Sequence, residues 1–379
     1  MLKNLFLKLR RTTTSNFYIP EVDGVRFLAI AIVTFYHINN FFLTKAPFKY
    51  DTSNSLLYIF LKNGFKGVSI FFVLSGFILA LPFAKYFFQS EKKPSLKKYY
   101  LRRLTRLEPP YFAALIIFFL LYLIKGEHTF AELWPGLILN FFYIHNLIWV
   151  PGFSMLGVLL WTLEIEVQFY LIAPLIAQIF RLSKVTRRSV LILLIFLLPA
   201  LNLYFKTNFI WIFNYLFYFL IGFFMADLYV SESAPKIPFK LSLLVTFLAF
   251  IVLVFIDINN FFYKNIFIIS LFILVYLILT DDLMKKIFSN RIIASIGGMC
   301  YSMYLVHTVV ISGFGNSSVF FRISPNYALN FFLQAAILTP PILLISAIFY
   351  LIFEKPCMDK DWPNRLYLFI KIKYNNFIK

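Results

Sequence analysis

The sequence predicts an all-α polytopic membrane protein with about ten transmembrane helices around a central pore. Of its 379 residues, 61% are hydrophobic and only 14% are charged, and the mean hydropathy is +0.79. A soluble domain carries roughly a quarter charged residues and less than half apolar ones. Apolar runs that are long enough to cross a bilayer lie at 24–43, 65–84, 108–125, 158–180, 188–204, 209–228, 241–257, 264–280, 292–314 and 329–353.

The distribution of Lys and Arg predicts that both termini lie in the cytoplasm, since cytoplasmic loops carry an excess of these residues. With ten spans and an inside N-terminus, the inner segments hold 27 basic residues and the outer loops hold 8. A further apolar segment, 133–150, contains Pro, Gly, Asn and His. If it also crossed, the numbers would become 15 inside and 20 outside. We therefore expect 133–150 to be a re-entrant or interfacial segment on the outer side.

The chain divides into three parts on this topology. Residues 1–22 form a basic cytoplasmic lead-in without a signal-peptide cleavage site, 23–353 form a single transmembrane domain, and 354–379 form a basic cytoplasmic tail.

The net charge of +19 falls in loops and tails, which is typical of membrane orientation, and we expect no nucleic-acid partner. Two cysteines indicate no disulfide framework. We also expect no metal, because the histidines lack metal-ligand spacing; they are His37, His128, His145 and His307.

The first candidate site lies in VRFLAIAIVTFYHINN, residues 25–40. Arg26 and His37 stand ~16 Å apart along a helix, and because eleven positions are close to three turns, both point to about the same side. Asp23, three residues before Arg26, predicts an ion pair or a helix cap. His37 is suited to general-base catalysis. The competing interpretation is that Arg26 snorkels to the headgroups and His37 lies in the outer interface.

A second candidate is the arginine cluster in LKKYYLRRLTRLEPPYF, residues 96–112. Arg102, Arg103 and Arg106 lie within about one helical turn, on the cytoplasmic side and just before a span that two prolines open. Guanidinium groups bind phosphate through two parallel hydrogen bonds, which suits a nucleotide or polyphosphate ligand. Anchoring to anionic lipid would account for the same cluster.

A third candidate is the acidic segment WTLEIEVQFYLIAPLI, residues 161–176. Carboxylates at membrane depth are costly unless paired or hydrated, and these lie at the outer level of His37. One of them would orient the imidazole, unless the segment is only an interface cluster facing water. Its candidate residues are Trp161, Glu164, Glu166 and Gln168.

Two further positions are candidates for lining the pore. His307 lies well inside a span, where it is either a structural hydrogen-bonding residue or part of a polar path. Ser75 precedes Gly76 in the middle of another span, and this pair of small residues predicts close helix packing.

Six segments together resemble the integral-membrane acyltransferase 3 family, in order and over nearly the whole chain. They are IPEVDGVRFLAIAIVTFYH, GVSIFFVLSGFIL, RRLTRLEPPYF, WTLEIEVQFYLIAPL, CYSMYLVH and FEKPCM. The resemblance implies a ten-helix membrane enzyme of the bacterial cytoplasmic membrane. Such an enzyme moves an acyl group, usually acetyl, from cytoplasmic acyl-CoA to envelope polysaccharide, peptidoglycan or a lipid-linked sugar.

The resemblance also implies residue roles. Arg26 and His37 match the family's basic residue followed after ten positions by its essential histidine, and Arg103 and Arg106 match an RxxR pair associated with CoA. Glu166 and His307 match family positions as well. Glu164 stands where the family usually has serine and Val167 where it often has a second glutamate, which leaves open whether Glu166, Glu164 or Asp23 assists His37.

Two other functions remain open at this stage. In a transporter or flippase for a lipid-linked sugar, the histidines and Glu166 would form a proton or substrate path and the arginines would bind a lipid diphosphate. A glycan polymerase ranks last, because it would be expected to carry a large polar outer loop.

Overall fold

The computed structural model describes residues 11, 18–126, 128–148, 156, 159–205, 210–233, 237–365 and 367–368. These residues form helices joined by turns, and no strand occurs among them. The helices are α1 (Pro20–Lys45), α2 (Leu56–Lys62), α3 (Gly67–Gln89), α4 (Leu96–Lys125), α5 (Phe130–Phe141), α6 (His145–Ile148), α7 (Leu160–Ile176), α8 (Lys184–Tyr204), α9 (Leu216–Ser231), α10 (Phe239–Phe255), α11 (Phe261–Thr280), α12 (Asp282–Phe288), α13 (Arg291–Gly298), α14 (Cys300–Ser318), α15 (Tyr327–Phe349) and α16 (Lys355–Cys357).

Seven helical stretches of the described chain are long and apolar enough to cross a membrane. The pair α13 and α14 adds an eighth if it is one crossing, although its two parts are bent by 70°. The remaining two predicted spans fall on α9 and α10, which are apolar but shorter, at 16 and 17 residues. The all-helical, multi-span class is therefore confirmed, and the number ten stays a prediction.

Helix α4 begins earlier than the sequence indicated. The two prolines were expected to open a span at 108, but the helix starts at Leu96 behind Ser95, whose side chain accepts a hydrogen bond from the Lys98 N–H. Pro109 and Pro110 lie inside its 30 residues. The arginine cluster therefore lies on this helix, in agreement with the predicted helical spacing of its side chains.

The segment 133–150 does not form a spanning helix in its described part. Helix α5 has 12 residues and begins with a capping box between Thr129 and Glu132, and α6 has only 4 residues. Both are too short to cross a bilayer, in agreement with the prediction that this segment does not span.

Close backbone contacts at glycines fix the helices that carry the candidate site. A Cβ added to Gly76 on α3 would stand 2.2 Å from the Phe219 carbonyl oxygen, and one added to Gly222 on α9 would stand 2.2 Å from that of Val73. The predicted close packing at Gly76 is thus confirmed. Gly297 on α13 likewise approaches the Asp23 carbonyl, which brings α13 against the first turn of α1.

Candidate active site

A cavity of about 210 Å³ lies among α1, α3, α4, α7 and α14. Its lining is cationic in one part and mostly apolar in another. Cationic side chains gather where α1 and α14 begin, whereas the side where α3 and α7 begin is apolar. The cationic lining consists of Arg11, Arg26, Arg102, Arg103 and Arg106, and the other side includes Val68, Phe71, Phe72, Thr162, Leu163 and Tyr304.

The sequence-predicted arginines all reach this cavity. Arg26 donates a hydrogen bond to the Asp23 carboxylate at 2.5 Å, which confirms the predicted ion pair. Arg103 donates to the Tyr99 carbonyl at 2.8 Å, and its guanidinium lies 3.6 Å from the centroid of the Tyr99 ring. Arg102 donates to the Met358 carbonyl. These contacts hold the guanidinium groups in place without neutralising most of them.

Arg11 is an additional cation that the sequence did not single out. Its side chain is 12% exposed, and it donates to the same Asp23 oxygen as Arg26, at 3.5 Å. Burial, with the nearby charges of Arg106 and Arg26, lowers the pKa of Arg11 to about 9. A pKa depressed in this way means that the surroundings disfavour its positive charge. Nothing in the sequence assigned Arg11 to the site, because it lies in a basic tail where any arginine is expected.

Several donor groups of the cluster are buried without a partner among the described residues. They are Arg102 Nη1, Arg103 Nε and Arg106 Nε. Five guanidinium groups line the cavity, against the carboxylates of Glu166 and Glu354 in the lining and Asp23 beside it. Because buried, unpaired charge is costly, this excess of positive charge and free donors favours a ligand with more than one negative charge.

Glu354 is a second residue that sequence reasoning left without a role. It lies in the turn Tyr350–Glu354 and is 2% exposed. Its Oε2 accepts hydrogen bonds from the Ser302 N–H at 3.0 Å and the Ser302 hydroxyl at 2.5 Å. An acidic residue directly after the last apolar run was the available signal. Its contact fixes the first turn of α14.

Glu166 lies in the cavity wall beside Ser75, not beside His37. The Ser75 hydroxyl donates to Glu166 Oε1, and both residues line the cavity together with Tyr170. Among the candidate pore residues, Ser75 therefore does face the cavity. The catalytic role of Glu166 stays a prediction.

The other residues of the acidic segment contact neighbouring helices and the turn before α9. Glu164 accepts hydrogen bonds from the Asn146 backbone N–H at 3.0 Å and its side-chain amide at 2.7 Å. Gln168 accepts one from the Ile212 N–H at 2.8 Å, and Trp161 packs against the rings of Phe72 on α3 and of Tyr215, the residue before α9. The cavity lining includes none of these three. Their role in substrate binding stays a prediction, and their observed contacts hold α6 and the turn before α9.

His37 is brought together with His307. Their ring centroids are 5.3 Å apart with an interplanar angle of 61°. His307 Nδ1 lies 2.8 Å from the Met303 carbonyl oxygen and 2.9 Å from that of Tyr304. His307 Nε2 is buried and has no partner among the described residues. In the described part of the chain, none of the three candidate carboxylates forms a hydrogen bond with His37: Asp23 binds Arg26, Glu164 binds Asn146 and Glu166 binds Ser75.

Tyr304 belongs to the cavity lining and also contacts the histidine pair, since its ring centroid is 6.0 Å from that of His307. His307 lies one helical turn further along α14. The Tyr304 hydroxyl is 2.5 Å from the Thr162 hydroxyl and donates to the Leu159 carbonyl at 3.1 Å. The arrangement therefore consists of a cavity lined partly by arginines and partly by apolar side chains, with Tyr304 in its wall and two neighbouring imidazoles next to Tyr304. In the described residues, no group of three or more His, Cys, Asp or Glu side chains is placed to hold a metal ion.

Comparison with known proteins gives a family match. A family model described as an acyltransferase domain, that of the acyltransferase 3 family, matches residues 19–351. A peptidoglycan O-acetyltransferase, OatA, of Listeria monocytogenes is 32% identical over 184 residues, which cover 45% of this chain and 26% of that protein. A putative O-acetyltransferase of Staphylococcus aureus is 27% identical over 331 residues, covering 78% of this chain and 51% of that protein.

The O-acetyltransferase OatA of Staphylococcus aureus is 26% identical over 395 residues, covering 96% of this chain and 60% of that protein. The chain thus spans between about a quarter and three-fifths of the length of these relatives. No solved structure matches significantly.

Proposed function

The chain belongs to the acyltransferase 3 family, and from this premise we propose that it is a membrane-embedded O-acyltransferase. The proposed donor is acyl-CoA, by default acetyl-CoA, and the proposed acceptor is a hydroxyl of an envelope glycan or a lipid-linked sugar. The relatives named as O-acetyltransferases, one of them a peptidoglycan O-acetyltransferase, support this choice of acceptor. We place the chain in the cytoplasmic membrane of a bacterium.

The observation that carries the proposal is the arginine-lined cavity, whose wall includes Tyr304 next to His307 and its neighbour His37. CoA carries a diphosphate and a 3′-phosphate, and the free guanidinium donors of Arg102, Arg103 and Arg106 suit such groups. The pantetheine arm would lie along the apolar portion and bring the thioester towards Tyr304. Arg26 and His37 lie on one uninterrupted helix, so the distance to be covered along it is ~16 Å.

His37 is the proposed catalytic residue at the far end. In direct transfer, its ring nitrogen takes the proton of the acceptor hydroxyl while the oxygen attacks the thioester carbonyl. The C–S bond then breaks, and the CoA thiolate takes up that proton. In the second route, His37 attacks the thioester carbonyl first and the C–S bond breaks, which releases the CoA thiolate. The acyl-imidazole then passes its acyl group to the hydroxyl, and the hydroxyl proton ends on the CoA thiolate. Glu166 and Asp23 remain proposed supporting residues on either route.

Binding of CoA to the purified protein tests the proposal most directly. In titration calorimetry, we expect the wild type to bind CoA and Arg103→Ala and Arg106→Ala each to weaken binding roughly 10–100-fold, the value of a lost charge-assisted hydrogen bond. Arg291→Ala removes an exposed arginine outside the cavity and should leave binding unchanged.

Two outcomes would reject the proposal. Absence of CoA binding at micromolar concentrations would favour the transporter or flippase of a lipid-linked sugar. Envelope glycans that carry the same acyl groups with and without the gene, compared by mass spectrometry, would exclude the acceptor class.

A further inference from the structure

The proton on the ring of His307 has only one possible position. Nδ1 lies within hydrogen-bonding distance of two carbonyl oxygens, those of Met303 and Tyr304, at 2.8 and 2.9 Å. A carbonyl oxygen accepts and does not donate, so Nδ1 must carry the hydrogen. In the neutral ring, Nε2 then has a lone pair and is an acceptor only.

This acceptor is buried without a donor. His307 is 0% exposed, and Nε2 contacts no hydrogen-bond partner in the part of the chain that the structure describes. A buried polar group without a partner costs about 1–3 kcal/mol. An unpaired acceptor such as His307 Nε2 in a closely packed helix bundle indicates that a hydrogen-bond donor approaches it in the active protein.

The ring of His37 is placed to be that donor. An N–H···N hydrogen bond of ~3 Å between two imidazoles puts their centroids ~5 Å apart, and the observed separation is 5.3 Å. Rotation of the His37 ring about its side-chain bonds is therefore sufficient, without movement of α1 or α14. His37 also needs a partner, because none of the described carboxylates forms a hydrogen bond with it: Asp23 binds Arg26, Glu164 binds Asn146, and Glu166 binds Ser75.

We infer that His307 is the positioning residue of His37, in the place where histidine bases commonly have a carboxylate. His307 Nε2 accepts the N–H of His37, which leaves the other ring nitrogen of His37 with its lone pair for the acceptor hydroxyl or the thioester. This inference rests on the proposed function. The proton that His37 takes from the hydroxyl ends on the CoA thiol, and His307 keeps its own proton throughout.

A pair of substitutions at position 307 tests the role. His307→Leu keeps the volume of the side chain and removes the hydrogen-bond acceptor. We expect kcat to fall roughly 10–100-fold, as for loss of a group that orients a histidine ligand. KM for acetyl-CoA should stay within about twofold of the wild type. His307→Gln offers an amide oxygen at similar reach and should recover most of kcat. His128→Leu, at a partly exposed histidine outside the cavity, is the matched control. Wild-type kcat in His307→Leu, or equal loss in both variants, overturns the inference.

Nitrogen NMR of histidine-labelled wild-type protein in bilayers gives a second test that needs neither activity nor a stable variant. Four histidines are present, so single substitutions assign them. We expect His307 with a protonated Nδ1 and an unprotonated, hydrogen-bonded Nε2. A protonated Nε2 on His307 would overturn the inference. If the pair is seen but the wild type transfers no acyl group to any glycan, the proposed function fails and the pairing stands.

Discussion

His37 is the residue on which the proposed chemistry depends most. It lies outside the lining of the arginine cavity, so the proposed donor binding and the proposed catalysis involve different side chains. We therefore expect His37→Ala to reduce acyl transfer at least ~100-fold, the usual contribution of a general base, while CoA binding stays within twofold of the wild type. Radiolabelled acetyl transfer and titration calorimetry on one preparation measure both quantities. Full transfer activity in His37→Ala would reject the catalytic assignment.

Arg11 carries a prediction that the family resemblance does not supply, because the matched region begins at residue 19. Its guanidinium shares Asp23 with Arg26. Its depressed pKa indicates that its positive charge is poorly stabilised, so an anion that enters the cavity should stabilise that charge. We expect Arg11→Ala to weaken CoA binding about 10-fold, somewhat less than the loss of an arginine that does not share its carboxylate partner. The affinity of Arg11→Lys should lie between those of the wild type and Arg11→Ala. If Arg11→Ala binds CoA as tightly as Arg291→Ala does, Arg11 takes no part in the site.

Helix packing around the site depends on backbone contact between α3 and α9. Gly222→Ala would place a methyl group 2.2 Å from the Val73 carbonyl oxygen and 2.4 Å from the Phe77 nitrogen, neither of which can rotate away. We expect a loss of about 1–3 kcal/mol in stability, measured as a lower thermal unfolding temperature in detergent. Gly313→Ala is the matched control, since nothing lies within 4 Å of its added Cβ. Equal unfolding temperatures for the two variants would contradict this packing.

We expect Tyr304 to limit the length of acyl chain that the cavity accepts. Its hydroxyl is held by Thr162 and by the Leu159 carbonyl, so its ring keeps a fixed position in the cavity wall. Tyr304→Ala should therefore raise the ratio of butyryl to acetyl transfer about 10-fold or more, since each methylene is worth roughly 1–3 kcal/mol in a fitted pocket. Competition assays with both donors measure the ratio, and Tyr204→Ala, at an exposed tyrosine, is the control. An unchanged ratio would mean that another residue sets chain length.

The elements were predictable where hydropathy is strong and local. The run 24–43 lies within α1 and 264–280 within α11, because a spanning helix must satisfy its backbone internally and is recognised from composition alone. The two prolines mark the start of the apolar run but not the start of α4, because proline is tolerated inside this helix. The 70° bend between α13 and α14 was missed because the apolar run 292–314 continues through it.

The candidate site was predictable to the extent that its residues are near neighbours in sequence. The Arg26–Asp23 pair follows from a spacing of three on one helix. The contact between His37 and His307 joins residues 270 positions apart, and Glu164 meets Asn146 instead of an imidazole only because α6 folds back beside α7. Such contacts depend on how helices are arranged, which periodicity and composition do not encode.

At the scale of the whole molecule, the cavity is built by helices from both ends of the chain, since α1 and α14 both contribute to it. A ligand that binds there bridges helices that separate on unfolding, so CoA should stabilise the folded protein by mass action. At a concentration 100 times the dissociation constant, the gain is about 2.7 kcal/mol. We expect the thermal unfolding temperature in nanodiscs to rise most with CoA, less with dephospho-CoA and not with pantetheine, because the proposed role of the arginines is to bind the phosphates and not the pantetheine arm.

The variant with both Arg103→Ala and Arg106→Ala should lose most of the CoA shift, and raising the salt concentration should reduce it in the wild type. Arg291→Ala should keep the full shift, since its arginine is exposed and outside the cavity. An equal shift with CoA and pantetheine would mean that the phosphates are not bound by the arginine cluster. A shift produced only by a lipid diphosphate would assign the cluster to a lipid-linked sugar and not to the acyl donor.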